Sequence, residues 1–301
     1  MVIRMKKMNK LLLIAISIVL LLTGCGGENN ISKGDRPIIY TSIYPLYFLA
    51  YEIGKENIDL RIVVPAGSES HDYEPSIKQL KDIEKADIFI YIGAGLETWA
   101  DRLLNSIISE EKALRASDLV ELIQVDGAYD PHIWLDPLNM IKIGEGIKDR
   151  LILLDGKNKD DYNTNFEQLS ARLKELDRSF MEGLKDKKRD TILVSHAAFA
   201  YMAKRYDFKQ MSVAGISPEQ EPSPKTIADI IDVAIDNDFK YIFLETLANP
   251  KTATVIAEEA NLEVLILNPI EGLTEEEEKN GEDYISIMEE NLVNLEKALV
   301  R

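Results

Sequence analysis

The sequence is poor in cysteine, histidine and positive charge. Its 301 residues include one cysteine, Cys25, so no internal disulfide can form. Lysine and arginine number 35 against 52 aspartates and glutamates, which gives a formal net charge of −17 at pH 7. A chain this acidic repels polyanions, so we expect no nucleic-acid partner.

Long apolar runs are also scarce, and the one that stands out lies at the N-terminus. Four basic residues and no acidic one lie within residues 1–10, and residues 11–22 are apolar except for Ser17. A permanent transmembrane helix needs ~20 apolar residues, so this run is too short to span a bilayer. The pattern predicts a cleaved export signal over residues 1–24. The alternative is an N-terminal membrane anchor that is never cut.

The predicted signal ends in Leu22-Thr23-Gly24-Cys25, which resembles the bacterial lipobox. That resemblance implies that Cys25 is lipidated and becomes the first mature residue. Residues 25–36 are mostly polar and contain glycine, so they predict a flexible tether. Because residues 1–24 carry four positive charges and no negative one, their removal lowers the net charge to −21. We therefore expect the lipid, and no basic patch, to hold the protein at the membrane.

Short β-rich runs alternate with helical runs over most of the remaining chain, which predicts an α/β fold with parallel sheets. The predicted helices include 77–85, 96–107, 227–237 and 252–260. The predicted strands are Ile38–Thr41, Leu60–Val64, Ile88–Ile92, Ile123–Val125, Ile192–Val194, Gln210–Val213, Tyr241–Leu244 and Val264–Leu267.

No strand pattern occurs between about residues 159 and 185. Apolar residues recur there at spacings of three and four, which predicts one long amphipathic helix: Phe166, Leu169, Leu173, Leu176 and Phe180. We therefore predict two Rossmann-like α/β lobes, 37–158 and 187–301, joined by a linking helix over 159–186. The alternative is a single continuous sheet with an unusually long crossover helix.

The chain has three histidines: His71, His132 and His196. Each lies after a predicted strand or in the loop beyond it, and open α/β sheets bind ligands at the carboxyl ends of their strands. His132 lies between two Asp-Pro pairs, at 130–131 and 136–137, which predict a stiff loop able to hold an imidazole still. One histidine placed this way is usually structural, but three together indicate a binding site.

Several segments together resemble the metal-binding solute-binding lipoproteins of bacterial ABC importers. This is the zinc and manganese group, cluster A-I, with a periplasmic-binding-protein-like fold. The resemblance covers nearly all of the mature chain. It rests on His-Asp-Tyr-Glu-Pro-Ser at 71–76, Asp-Pro-His-Ile-Trp-Leu-Asp-Pro at 130–137, Ser-His-Ala-Ala-Phe-Ala-Tyr at 195–201, Gly-Ile-Ser at 215–217, Glu-Pro-Ser at 221–223, Phe-Leu-Glu at 243–245, Asp-Tyr at 283–284 and Asn-Leu at 291–292.

The resemblance implies a metal site in the cleft between the lobes. It implies that His71 and His132 bind the ion from the first lobe and His196 from the second. The fourth ligand in the family is a carboxylate after the last strand, which matches Glu271. The rivals for that place are nearby acidic residues: Glu275, Glu276, Glu277, Glu278, Glu282 and Asp283. The resemblance gives Glu245 a supporting role, orienting an imidazole, and the alternative is a structural hydrogen bond or ion pair.

Three imidazoles and one carboxylate suit tetrahedral zinc, whereas manganese prefers more oxygen ligands. Manganese binders in the family often carry a carboxylate where His196 stands, which favours Zn²⁺ over the alternative, Mn²⁺. Many zinc members also carry a histidine-rich loop before the second ligand. Residues 116–130 contain no histidine, and this observation argues against zinc.

The resemblance implies an exported, lipid-anchored protein that captures Zn²⁺ and delivers it to the permease of an ABC importer. We expect a monomer that is not an enzyme. A zinc-dependent enzyme and a surface adhesin are the alternatives. Direct binding of the metal by Glu271 argues against the enzyme, because a catalytic zinc keeps a ligand position for water.

Overall fold

The structure is a computed structural model that describes residues 36–104, 108–125, 127–218 and 222–301. The predicted signal peptide, 1–24, and the lipidation site Cys25 lie outside the described residues, as does all of the tether except Arg36. Pro37–Arg301 form one unit, and the description below concerns that unit. None of the helices in these described ranges is both long and apolar enough to cross a membrane.

Two four-stranded sheets, each fully parallel, form the framework of the protein. Their strands are β1 (Ile38–Thr41), β2 (Asp59–Ile62), β3 (Ile88–Tyr91), β4 (Ala113–Arg115), β7 (Thr191–Val194), β8 (Lys209–Ser212), β9 (Tyr241–Leu244) and β10 (Glu263–Ile266). The first sheet has the order β2-β1-β3-β4, and the second has the order β10-β9-β7-β8. In each sheet the first strand has the second on one side and the third on the other. This reversal creates a crevice at the carboxyl ends of the strands, where ligands bind in such folds.

The prediction of two separate α/β halves is confirmed, and the single continuous sheet is wrong. The predicted strand over residues 123–125 is present, but it joins neither parallel sheet. Gln124–Val125 (β5) instead pairs antiparallel with Ala128–Tyr129 (β6) in a small hairpin. The fourth strand of the first sheet is Ala113–Arg115, which has only three residues. It lies at the sheet edge, where an exposed arginine is tolerated and no apolar run is needed.

Helices connect the strands and cover the sheets. They are α1 (Tyr44–Gly54), α2 (Ile77–Ile83), α3 (Thr98–Leu104), α4 (Pro137–Leu154), α5 (Lys159–Gly183), α6 (Ala200–Tyr206), α7 (Pro224–Asp236), α8 (Lys251–Glu259), α9 (Glu275–Asn280) and α10 (Tyr284–Leu299). Polar caps fix several of their starts. For example, Ser76 accepts a hydrogen bond from Gln79 N at the start of α2, and Asp136 accepts one from Leu138 N at the start of α4.

Helix α5 is the predicted linking helix, and it ends at Gly183, three residues before the predicted end. Four of the five residues of its predicted apolar stripe are at most 2% exposed, namely Leu169, Leu173, Leu176 and Phe180, and Phe166 is partly buried. The stripe belongs to one apolar core that also contains β-strand residues of both halves, such as Ile39 and Val194. The helix therefore joins the halves through shared packing as well as through the chain. The lobe bounds 37–158, 159–186 and 187–301 stay a prediction.

Candidate metal centre

His71 lies in the loop between β2 and α2. Its backbone N–H donates to Glu69 Oε1 at 2.7 Å, and its side chain is 8% exposed. The loop ends at the capping box of Ser76 and Gln79, which fixes where helix α2 begins. His71 is thus held between an ordered strand and an ordered helix start.

His132 follows β6 and is completely buried. Asp130, also 0% exposed, accepts two hydrogen bonds from it on one oxygen: Oδ1 lies 2.9 Å from His132 N and 2.7 Å from Nδ1. A proton on Nδ1 directs the lone pair of neutral Nε2 to the other side of the ring. This carboxylate–histidine pair is the arrangement that orients metal-binding imidazoles in proteins.

His196 lies two residues beyond the end of β7 and is also 0% exposed. Its Nδ1 is 2.6 Å from Glu245 Oε1, an ion-pair distance that lacks hydrogen-bond geometry. Ser195 Oγ donates to the same Glu245 oxygen. A carboxylate therefore lies behind the second buried imidazole as well.

The first half of the chain contains a matching serine–glutamate pair. Ser42, directly after β1, donates to Glu97 Oε1 at 2.5 Å, and the N–H groups of Ile92 and Gly93 each donate to the same carboxylate at 2.9 Å. Ser195 holds the equivalent place directly after β7. Two backbone N–H groups donate to the Glu97 carboxylate, whereas the Glu245 carboxylate lies beside the His196 ring. The second pair thus faces a ring that the first pair lacks.

Glu271 lies in a tightly held loop after β10. Asn268 Oδ1 accepts a hydrogen bond from Ile270 N, and Ile270 has a left-handed backbone with φ of 57°. That conformation is rare for a β-branched residue and persists only where the surroundings fix it. Trp134 Nε1 donates to Pro269 O at 2.6 Å, and Ser70 Oγ donates to Glu271 Oε2 at 2.6 Å. Contacts from the first half of the chain thus position this carboxylate.

The four predicted ligands converge on one point. His132 Nε2 lies 3.3 Å from both His71 Nε2 and His196 Nε2. Glu271 Oε1 lies 3.4 Å from His71 Nε2, 3.4 Å from His132 Nε2 and 3.7 Å from His196 Nε2. All four ligand atoms are within 4.8 Å of one another. In a regular tetrahedron with metal–ligand distances of about 2.0–2.1 Å, neighbouring ligand atoms lie about 3.3–3.4 Å apart.

Glu271 Oε1 is a buried polar atom without a hydrogen-bond partner among the described residues. Burying such an atom costs free energy unless a partner compensates its charge, and a cation bound by the three Nε2 atoms would do so. The chemistry of this donor set therefore fits a divalent transition metal.

Neighbouring charged groups in and beside the cluster shift one another's pKa values. Burial alone would raise the pKa of the Glu271 carboxyl, but the charge of His71 and the contacts with His132 hold that pKa well below its ordinary value. Burial alone would lower the pKa of His132, but its contacts with Asp130 and Glu271 raise it to about 10. Burial, with the charge of Glu271, raises the pKa of Glu69 to about 8. Since imidazole binds a metal ion only when it is neutral, we expect metal binding to displace a proton from His132 at neutral pH.

The rival carboxylates lie outside this cluster. Glu275, Glu276 and Glu278 are exposed on α9, and Glu277 caps that helix by accepting a hydrogen bond from Thr274 N. Asp283 caps α10, and Glu282 is exposed. Asp130 and Ser70 were not predicted. The spacing Asp-x-His at 130–132 is a local signal that points to Asp130, whereas no local signal links Ser70 to Glu271, 201 residues away.

Residues 39–298 match the family described as the periplasmic component A of the zinc-uptake complex, ZnuA. The chain belongs to this family. The high-affinity zinc uptake system protein ZnuA of Bacillus subtilis is 32% identical over 315 residues, covering 98% of this chain and 98% of that protein.

A second relative is the zinc-binding lipoprotein AdcA of Streptococcus pneumoniae, which is 33% identical over 309 residues. The match covers 97% of this chain, and the chain spans 61% of the length of AdcA. The crystal structure of the Zn(II)-bound ZnuA-like domain of AdcA superposes with a TM-score of 0.79 at 34% identity, covering 88% of this chain and 100% of that one.

A third similar protein is the laminin-binding protein of Streptococcus agalactiae, described as bifunctional, with adhesin and metal transporting activity. Its structure superposes with a TM-score of 0.80 at 31% identity. The superposition covers 87% of this chain and 99% of that one.

Proposed function

We propose that this chain is an extracytoplasmic solute-binding protein that captures Zn²⁺ through His71, His132, His196 and Glu271 and delivers it to an ABC-type importer. The observation that carries the proposal is the convergence of three Nε2 atoms on the unpartnered oxygen of Glu271, at 3.3–3.7 Å along five of the six ligand–ligand edges. Four of those five separations, at 3.3–3.4 Å, match the edges of a tetrahedral zinc shell, and the fifth is 0.3 Å longer than the upper value. Membership of the zinc-uptake family supports the same function.

Zinc fits this donor set better than manganese does. Three nitrogens and one carboxylate, close to a tetrahedron, form a closed shell for zinc, whereas manganese favours octahedral, oxygen-rich shells. The same role for Mn²⁺ is the alternative. An enzyme with catalytic zinc would need a ligand position for water, and Glu271 Oε1 lies where that water would have to bind. The adhesin alternative is supported by the likeness to the laminin-binding protein, and among the described residues no feature beyond that likeness favours it.

Asp130 and Glu245 orient the two buried imidazoles in this proposal. Asp130 holds the Nδ1 side of His132, and Glu245 lies behind His196, so both rings present Nε2 to the ion. Removing such a carboxylate weakens metal binding by about 10- to 100-fold in comparable sites.

The proposal places the protein outside the cell membrane, anchored through a lipid on Cys25 and acting as a monomer beside its permease. The basic start, the apolar run and the lipobox support export, and the lipoprotein relatives support anchoring. Changing Cys25 to Ala should release the protein or block its maturation, as seen by cell fractionation. A Cys25→Ala variant that is still processed and membrane-bound would contradict lipid anchoring there.

Metal content and competition test the central proposal. Protein purified without added metal should contain zinc, and Mn²⁺ should displace it only in large excess. Because an ion that binds the folded state alone stabilises it by RT ln(1 + [L]/Kd), a thousandfold excess over Kd should contribute ~4 kcal/mol. Zinc should therefore raise the melting temperature of the wild type and have little effect on His132→Ala. Equal shifts in both proteins would show that this cluster is not the site.

A further inference from the structure

The Tyr201 hydroxyl crosses from the second half of the chain into the first. Tyr201 lies on α6, five residues after His196, and its side chain is 3% exposed. The hydroxyl accepts a hydrogen bond from Ile123 N at 3.0 Å and donates one to Asp130 O at 3.0 Å. Both partners belong to the segment around β5 and β6 that leads to His132. One side-chain oxygen thus joins the His196 side of the metal centre to the His132 side.

Asp130 makes this contact more than general packing. Its carboxylate orients His132, while its backbone carbonyl accepts a hydrogen bond from the Tyr201 hydroxyl. Two short segments, 196–201 and 130–132, therefore meet at two places. One is the metal centre and the other is the Tyr201 hydroxyl. Any movement that separates the two imidazoles must also break the hydrogen bonds of Tyr201.

Such a separation is required for the metal to enter or leave. His132 and His196 are 0% exposed, Glu271 is 4% exposed and the side chain of His71 is 8% exposed, so the closed halves leave an ion almost no path to three of its four ligands. When they separate, Ile123 N and Asp130 O lose Tyr201 and must be hydrated. When they close, the hydroxyl satisfies both groups, which would otherwise be left without partners at substantial cost.

We propose that Tyr201 is a positioning residue that latches the closed cleft and thereby slows the loss of bound zinc. This inference rests on the proposed function of zinc capture and adds a residue that does not touch the ion. The latch stabilises the closed state selectively, because only in that state does the hydroxyl replace water at both backbone groups.

The matched pair Tyr201→Phe and Tyr162→Phe tests the latch. Tyr162, on α5, is also buried, and its hydroxyl donates at 2.8 Å to Oδ2 of Asp155, in the turn between α4 and α5. Each variant loses one hydroxyl. Tyr201→Phe should release zinc to an excess of chelator about tenfold faster than the wild type. The reason is that an unsatisfied buried backbone group destabilises the closed state relative to the open state by about tenfold or more. Tyr162→Phe should lower the melting temperature of the metal-free protein and leave the release rate unchanged.

Amide hydrogen exchange of the wild type gives a second readout that needs no mutation. Zinc should slow exchange at Ile123 N by about tenfold or more, because the closed state holds that N–H on Tyr201. The amide of Asp155, which donates to Leu151 O, should not respond to zinc and is the internal reference.

Two results would overturn the latch while leaving zinc capture intact. They are equal zinc release by the two tyrosine variants, and exchange at Ile123 that is the same with and without zinc. A wild type that binds no zinc would instead overturn the proposed function itself.

Discussion

Zinc binding should expel a proton from His132, and the substitution Asp130→Asn should reduce that expulsion. Asparagine keeps the size of the side chain and can still accept a hydrogen bond from His132 Nδ1. It removes the negative charge, and the contacts with Asp130 and Glu271 are what raise the pKa of His132 to about 10 against the effect of burial. The perturbation therefore acts on the charge state of one imidazole.

The expected number of protons follows from that pKa. At pH 8 the metal-free wild type is about two pH units below the His132 pKa, so about 99% of the rings carry the extra proton. Since imidazole binds metal only when neutral, zinc should release about one proton from His132. An adjacent opposite charge shifts a pKa by about 1–3, and a decrease of about 2 in the variant would bring the His132 pKa to the pH of the measurement and reduce that release to about one half. Groups that titrate equally in both proteins cancel in the difference.

Calorimetric titration with zinc at pH 8, in buffers of different ionisation enthalpy, counts the released protons. Asp136→Asn is the control, because Asp136 belongs to the same segment but caps α4 at Leu138 N instead of contacting His132. That control should release as many protons as the wild type. Equal proton release by Asp130→Asn and the wild type would refute the assignment of the raised pKa to the Asp130–His132 pair.

Three further outcomes are expected. Glu271→Gln should weaken zinc binding strongly in a chelator competition, whereas Glu276→Gln should not, since Glu276 is exposed on α9; comparable losses would mean that the fourth ligand is misassigned. His196→Asp should shift the preference between zinc and manganese towards manganese because it adds an oxygen donor; an unchanged ratio in competition titrations would argue that His196 is not a ligand. The metal-free protein should lose stability to urea as pH rises from about 6.5 to about 10, because folded His132 binds its proton more tightly than the unfolded chain does; the opposite trend would contradict the raised pKa.

Local patterns explain why the main elements were predictable from sequence. The strand at Tyr241–Leu244 is a continuous apolar run and α5 carries a periodic apolar stripe, and both patterns are formed by residues close in the chain. The three-residue strand Ala113–Arg115 carries too little pattern to be read. Residues 123–125 look like a sheet strand but pair within a hairpin, since pairing depends on what lies beside a segment.

The sequence alone predicts the α/β alternation, the long helix and the three histidines after strands, because each depends on a local pattern or on residue type. It could not choose by local pattern between Glu271 and the acidic residues after it, since all of them are carboxylates within a few positions of one another. The tertiary structure brings Glu271 to the imidazoles and leaves the others exposed or capping helices. Only that structure shows the hydrogen bonds of Ser70 with Glu271 and of Tyr201 with Asp130. The partners are separated by 201 positions in the first pair and by 71 in the second, so these bonds exist only after the two halves have packed together.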